Sequence, residues 1–444
     1  MKRVLISLCL FGLAMPAGAD DLLATYRRAR DSDLTWAQAR ANYDALSEKA
    51  PQGRSQLLPI VGLSASTINT RDQRIETPMG TSTYSYNTKG YALSLTQPLF
   101  RKQAFAAYSQ GKADAAKAAF DLANADQDLI LRVTRAYFDV LAAEDVLDFA
   151  RSEKSAIERL LALAQRNFNV GTASLVDVHE AQARYDLAVA QEIAAANDLE
   201  VKREALRVVM GDEPGVLAKL TGKLELAPPQ PANMDSWVDA ARNDNPQVKS
   251  QEQALASAKQ ELEKSRGGHY PTLDFTASRA FSDADGSTYG YPIKTTTNQY
   301  GLVLNVPLFQ GGYVSSKVRE AAARQTEATD RLEQTRRVTA QQARQSYLAV
   351  INGIARVQAL EQARASNQRS LETTILGYER GARTGVDVLN TQRQLFGTRR
   401  DLAQARYNLL LARLQLKSAA GALSETDIAD INRLFTNTPT NSAD

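Results

Sequence analysis

A proline-free tract at residues 102–168 limits the folds open to this 444-residue chain. Apolar residues recur along it at alternating spacings of four and three: Leu129, Val133, Ala136, Val140, Ala143, Leu147 and Ala150. This heptad pattern predicts one long helix whose apolar seam packs against another helix. About 67 residues rising 1.5 Å each span roughly 100 Å, which is longer than a single globular core. A second heptad seam, Leu395 to Leu416, predicts another long helix near the end of the chain.

Two glycine-containing stretches predict the points where these long helices reverse. Residues 167–184 read NFNVGTASLVDVHEAQAR, and residues 377–394 read GYERGARTGVDVLNTQRQ. Gly171 and Gly381 can adopt backbone angles that are closed to other residues, so we expect structural turns there. Each stretch is therefore predicted to be the tip of a helical hairpin.

A helix N-cap pattern follows each glycine. Ser174 stands three residues before Asp177, and Thr384 stands three residues before Asp387. A hydroxyl followed three residues later by an acidic side chain indicates reciprocal capping of a new helix. Capping alone would explain both aspartates, because the positive end of a helix dipole also favours an anion there.

The two tips lie 210 residues apart, and other matches at spacings of 210 and 212 predict an internal duplication. Each half is predicted to contain a helix, a β-hairpin, a long helix, a tip and a return helix, with the first helix spanning about Asp21–Gln56. The first repeat is predicted at 20–232, with a hairpin at about 59–98 and a tip near 169–177. The second repeat is predicted at 233–421, with a hairpin at about 271–307 and a tip near 379–387. A polar tail with a helical stretch near 427–435 is predicted at 422–444.

Period-two alternation identifies the strands of the two hairpins. Leu302, Leu304, Val306 and Leu308 alternate with smaller or polar residues, and Pro98 is predicted to end the second strand. Four amphipathic strands are too few to close a barrel, since single-chain barrels begin at about eight strands. An open hairpin edge is not tolerated in a membrane, so the strands must pair with other copies of the chain. Two copies would give eight strands and almost no lumen, whereas three would give twelve and leave room for one.

The first 19 residues predict a secretory signal peptide, with a basic start, an apolar run and a small-residue cleavage pattern at 17–19. Cys9 is the only cysteine and lies within it, so the mature chain is expected to have no disulfide. Removing Lys2 and Arg3 takes the net charge from +3 to about +1, which gives no support for nucleic-acid binding. Such an exported chain would be periplasmic, secreted, or located in an outer membrane.

The sequence offers little material for catalysis or for a cofactor. His179 and His269 are the only histidines, and neither has cysteine or acidic neighbours at metal-ligand spacing. No nucleophile–base set and no GxxxxGK phosphate loop is present in the sequence. We therefore expect neither an enzyme nor a cofactor.

The tip motifs make the chain resemble the TolC family of outer-membrane channel-tunnels over essentially its whole mature length. The residues that carry the resemblance are Gly377-Tyr378, Gly381, Arg383-Thr384, Val386 to Leu389, Ala405 to Asn408 and Lys417 to Ala419. The resemblance implies an α+β membrane protein, a homotrimer that combines a twelve-strand β-barrel in outer-membrane lipid with an α-helical barrel crossing the Gram-negative periplasm. It further implies a periplasmic adaptor and an inner-membrane ABC or RND-type pump as partners, with proteins or small toxic compounds as cargo.

The resemblance also implies roles for individual tip residues. Tyr378 and Arg383 match the pair that holds the periplasmic mouth closed, and Asp177 matches their carboxylate partner. Asp387 matches an acidic ring that favours cations. Asn390 stands where enterobacterial members carry a second acidic ring, which would roughly halve the ring charge.

Simpler interpretations of the same residues stay open at this point. Arg383 would also suit a solvated loop, and Tyr378 would also suit packing in the last helical turn. Val176 replaces a hydroxyl that the family places beside Asp177, so one latch hydrogen bond is not expected here. For the whole chain, the alternative is a soluble periplasmic coiled-coil adaptor or scaffold.

Overall fold

The structure, a computed structural model, describes residues 20–172, 174–222 and 224–436. The predicted signal peptide at 1–19 and residues 437–444 of the predicted tail lie outside the described residues.

Long helices and long antiparallel strands make up most of the described chain. The helices are α1 (Leu22–Ser32), α2 (Leu34–Ser47), α3 (Lys49–Ser55), α4 (Lys102–Asn169), α5 (Leu175–Met210), α6 (Met234–Asn243), α7 (Pro246–Arg266), α8 (Tyr313–Glu379), α9 (Gly385–Ala419) and α10 (Glu425–Asn432). The strands are β1 (Ile60–Thr77), β2 (Gly80–Phe100), β3 (Lys219–Leu220), β4 (Thr272–Ala284), β5 (Ile293–Asn305) and β6 (Phe435–Thr436). With 68 residues, α4 is roughly 100 Å long.

The chain divides into two compact units. The helical unit contains the described residues of Met1–Ala37, Ala125–Ala241 and Ala340–Asp444, and the sheet unit contains Gln38–Asn124 and Arg242–Thr339. Each unit draws segments from both predicted repeats, so residues distant in sequence pack together within each one.

In the sheet unit, four antiparallel strands form one sheet in the order β1-β2-β4-β5. Within the described ranges, β1 and β5 each pair on one side only. The predicted four strands per chain are therefore confirmed.

One face of this sheet is apolar and exposed. Residues directly opposite each other on paired strands share a face. The cross-strand partners Leu63 and Leu93 lie on this face, as do Phe275 and Leu302. The polar exceptions on it include Arg279, which pairs with Leu93. The other face carries smaller and polar residues, including Gly62, Ser64, Ser94, Thr276, Ser278 and Asn305.

The predicted strand ends need two corrections. The prediction that Pro98 ends the second strand was wrong, because β2 continues to Phe100 across a register shift. Arg101 anchors that end, donating from Nε and Nη2 to the two carboxylate oxygens of Asp274 at 2.8 and 2.7 Å. The alternation predicted through Leu308 extends past the strand, since β5 ends at Asn305, two residues before Pro307, a residue with no N–H for the ladder.

In the helical unit, both predicted heptad seams form the core. Residues of the α4 seam, such as Leu129 and Val133, and of the α9 seam, such as Leu402 and Leu409, are buried in one cluster. The seams pack because each repeats at the helical period that keeps one side of the helix apolar. Tyr137, fully buried in this cluster, lies 3.1 and 3.0 Å from the carbonyl oxygens of Asp20 and Ala218.

The predicted single helix at Asp21–Gln56 was wrong, because three helices occupy this range. Asp33 separates α1 from α2. Its backbone is extended, and its Oδ1 accepts a 2.6 Å hydrogen bond from the backbone N–H of Trp36. Arg132 donates to both Asp33 carboxylate oxygens. Burial raises the pKa of Asp33, but the bonds from Arg132 and Trp36 outweigh it, so the pKa stays below its usual value.

The tail contains a helix, as predicted, but the helix begins and ends at other residues. The helix α10 spans Glu425–Asn432 rather than 427–435, and Phe435 belongs to β6. The pairing of β6 with β3 places Phe435 beside the connection between the halves.

Candidate functional site: the tips of the helical hairpins

The first tip is a left-handed turn at Gly171. Its φ is +79°, a conformation that strains residues with a Cβ. The backbone N–H of Thr172 donates to the carbonyl of Asn167 at 2.8 Å, and that of Gly171 donates to Phe168 at 3.0 Å. These two bonds define a Schellman motif, which satisfies carbonyls that the end of α4 would leave unpaired.

The second tip repeats this geometry at Gly381, where φ is +72°. The N–H of Ala382 donates to Gly377 at 2.8 Å, and the N–H of Gly381 donates to Tyr378 at 3.0 Å. The two tips thus use the same backbone hydrogen bonds at corresponding positions.

Both predicted N-cap boxes are present. Ser174 Oγ accepts from the Asp177 N–H at 3.2 Å, and the Asp177 carboxylate accepts from the Ser174 N–H at 2.9 Å. The Asp387 carboxylate accepts from both the backbone N–H and the hydroxyl of Thr384, each at 2.9 Å. Each aspartate therefore caps the start of a helix. This structural role does not depend on any role in a latch or an acidic ring.

Asp387 is also a fixed negative charge at the second tip. Its pKa lies below its usual value, chiefly because the Thr384 backbone N–H donates to the carboxylate, with the Thr384 hydroxyl next. Arg383 adds a smaller electrostatic contribution in the same direction. The carboxylate is consequently ionised at neutral pH.

A cavity of about 230 Å³ lies between the two tips, and two of the predicted latch residues line it. Asp177 comes from the first tip and Tyr378 from the second. Arg383 is not among the lining residues. Its side chain lies instead over Gly377, where an added Cβ would be 2.8 Å from the Arg383 Cγ. Val176 is exposed beside Asp177, without a hydroxyl to offer.

Asn390 connects the two hairpins of one chain. Arg184 of α5 donates from Nη1 to the Asn390 Oδ1 of α9 at 3.0 Å, while its Nη2 donates to Glu180 at 2.9 Å. Leu389, next to Asn390, is buried with Ile157 of α4. Sequence reasoning missed Arg184; its only local signal was the four-residue spacing from Glu180 on one helix face.

Comparison with known proteins identifies the family. The family profile described as Outer membrane efflux protein matches residues 25–212 and 237–422. The chain belongs to the outer membrane efflux protein family. Outer membrane protein TolC of Escherichia coli (strain K12) is 33% identical over 440 residues, covering 97% of this chain and 88% of that protein. Alkaline protease secretion protein AprF of Pseudomonas aeruginosa is 31% identical over 415 residues, covering 92% and 85%.

The fold is shared with a solved outer membrane protein. The crystal structure of outer membrane protein VceC from Vibrio cholerae superposes with a TM-score of 0.78 at 18% identity, covering 90% of this chain and 96% of that one. The predicted resemblance and fold class are confirmed. This protein is an efflux or secretion channel of the outer membrane, and it is not an enzyme.

Across 20–172, 174–222 and 224–436, no group of three or more His, Cys, Asp or Glu side chains is placed to hold a metal ion. In the same ranges, no helix combines the length and the apolar character needed to cross a membrane.

Proposed function

We propose that three copies of this chain form one continuous export duct through the outer membrane and the periplasm. The observation that carries the proposal is the four-stranded sheet, which pairs on one side only at β1 and at β5 within the described residues. An unpaired strand edge is costly in lipid, and pairing β5 of one copy with β1 of the next removes every edge. Three copies supply twelve strands, enough to enclose a lumen.

The two faces of the sheet support the same arrangement. The exposed apolar face, with Leu63, Leu93 and Leu302, suits contact with lipid, and the opposite face of small and polar residues suits a water-filled interior. The lengths of α4 and α8, 68 and 67 residues, support a periplasmic extension of roughly 100 Å.

The duct is passive in this proposal, and a pump supplies the energy. A periplasmic adaptor and an inner-membrane ABC or RND-type pump dock onto the helical hairpins. Relatives named for protease secretion, AprF and PrtF, and one named as an efflux protein, BepC, support cargo that includes proteins or small compounds. The pump, rather than the duct, then chooses the cargo.

The hairpin tips form the gate of this duct. Asp177, Tyr378 and Arg383 act as the latch that holds the periplasmic mouth closed, and Asp387 supplies an acidic ring that favours cations. The shared cavity of Asp177 and Tyr378 supports the latch, since it brings residues of two different tips to one place. Asn390 contributes a neutral position one helical turn beyond Asp387.

Extraction of the native protein tests the assembly. We expect outer-membrane fractions to release, only with detergent, a heat-resistant trimer that co-purifies with an adaptor and an inner-membrane pump after mild cross-linking. A monomer released from the periplasm without detergent would contradict the duct and restore the soluble-scaffold alternative. Identifying the cross-linked pump would assign the cargo class.

A further inference from the structure

A second, larger cavity lies within the helical unit, away from the tips. Its volume is about 790 Å³, and α4, α8, α9 and β3 bound it. Its lining includes Asp145, Phe149, Arg364, Arg399, Leu402 and Arg406. This volume falls within the range of about 300–1,000 Å³ that is usual for small-molecule sites.

Three guanidinium groups in the lining have hydrogen-bonding capacity to spare. Arg364 makes no ion pair with any described residue. Arg399 donates to the neutral amide of Gln368 at 3.0 Å rather than to a carboxylate. Arg406 pairs with Glu361 through Nη2 at 2.7 Å, but its Nε is buried with no acceptor among the described residues. A buried donor without an acceptor costs free energy, so Glu361 satisfies the Arg406 guanidinium only in part.

The acidic groups nearby leave the cavity basic. Asp145 is the one carboxylate in the lining, and its pKa is raised because burial disfavours its charge, against opposing effects of Tyr407 and Lys219. The Tyr407 hydroxyl donates to Asp145 at 3.0 Å. Lys219 is paired with Asp148, outside the lining, at 3.1 Å. Among the described residues, Arg364 and Arg399 are therefore not paired with a carboxylate, whereas Arg406 is paired with Glu361 outside the lining.

We propose that this cavity binds an organic oxyanion, a phosphate or carboxylate carried on an apolar body. Arg364, Arg399 and Arg406 would hold the charged group, because a planar guanidinium matches the oxygens of a phosphate or carboxylate in two parallel hydrogen bonds. Phe149 and Leu402 supply the apolar wall for the rest of the ligand. This site is separate from the proposed latch and does not depend on the duct being correct.

Binding of phenyl phosphate to the full-length, detergent-extracted protein tests the proposal, by calorimetry at constant ionic strength set with chloride. We expect saturable binding to the wild type and at least tenfold weaker binding to Arg364→Gln and to Arg399→Gln. Arg356→Gln serves as the matched control, because Arg356 lies exposed on the same helix, α8, but outside the lining. It should bind phenyl phosphate as the wild type does.

Two further probes separate the charged and apolar parts of the ligand. Inorganic phosphate should bind several-fold more weakly than phenyl phosphate, and phenol should not bind measurably. Absence of saturable phenyl phosphate binding to the wild type would overturn the proposal. Equal weakening by Arg356→Gln would overturn it too, because binding would then follow overall charge. Circular dichroism of each variant without ligand confirms that the substitutions leave the fold intact.

Discussion

Asp387 combines a capping role with a stabilised negative charge in one side chain. Its carboxylate caps α9 through Thr384, and the same hydrogen bonds stabilise its charge. A capping aspartate is normally explained by the helix end alone. At a tip that faces the interior of a duct, the charge that the cap stabilises would also act on passing ions.

Asp387→Ala should lower the cation selectivity of the channel, measured as reversal potential across planar bilayers under a salt gradient. The pKa of Asp387 is depressed, so the carboxylate stays charged as the pH falls past its usual value and is neutralised only below it. Wild-type selectivity should therefore be unchanged between pH 7 and about pH 4.5. If Asp387→Ala keeps wild-type selectivity, the residue is only a cap.

Asn390→Asp should raise cation selectivity above that of the wild type, because it adds a second acidic position near Asp387. The new carboxylate would accept the Arg184 hydrogen bond that the amide accepts now. Reversal potentials of the single variant and of Asn390→Asp with Arg184→Gln measure the two contributions. Identical selectivity in wild type and in both variants would show that position 390 does not face the ion path.

At the scale of the element, the tips are defined by backbone conformation. Gly381→Ala places a Cβ at φ +72°, which costs about 1–2 kcal/mol. Amide hydrogen exchange at positions 381 and 382 of this variant should be faster than in the wild type. Gly397→Ala is the matched control: Gly397 lies inside α9 with open space around it, so alanine should stabilise the helix by about 0.5–1 kcal/mol. Unchanged exchange in Gly381→Ala would contradict the left-handed turn.

The sequence predicted those elements whose signals are local. Heptad seams, glycine turns and capping boxes depend on spacings of three to seven residues, and Leu129, Gly381 and Asp387 all lie where the pattern indicated. Features that depend on distant partners were missed. The break at Asp33 is stabilised by Arg132, and Arg184 donates a hydrogen bond to Asn390, 206 residues away in sequence. Pattern reading contains no information about such partners.

The candidate sites show the same contrast between local signals and distant partners. Asp177 and Tyr378 were predicted from motif positions, and the structure then placed both on one cavity. The basic cavity near Arg364 and Arg399 was not predicted. Its lining comes from four separate elements. In the sequence, nothing distinguishes its arginines from the solvent-exposed arginines of a long helix.

At the scale of the whole molecule, the apolar face of the sheet is expected to contact lipid. Leu302→Arg should lower the yield of heat-resistant trimer in outer-membrane fractions, since an arginine facing lipid costs up to about 2–4 kcal/mol, depending on its depth in the bilayer. Val303→Arg is the matched control, because its side chain is on the opposite face. Leu302 and Val303 are exposed in one chain by 65% and 51%, so loss of packing does not distinguish them. Equal yields would contradict the assignment of faces.

Single-channel conductance tests most directly whether the proposed latch at the tips holds the mouth of the duct closed. Tyr378→Phe with Arg383→Ser would remove the side-chain donors of the proposed latch, and a hydrogen bond to a charged group is worth about 1.5–3 kcal/mol. Arg380→Ser provides the control, because Arg380 is an exposed arginine of the same tip outside the proposed latch. We predict that the double variant spends several-fold more time in a higher-conductance state than the wild type or Arg380→Ser. Wild-type conductance in the double variant would contradict the latch.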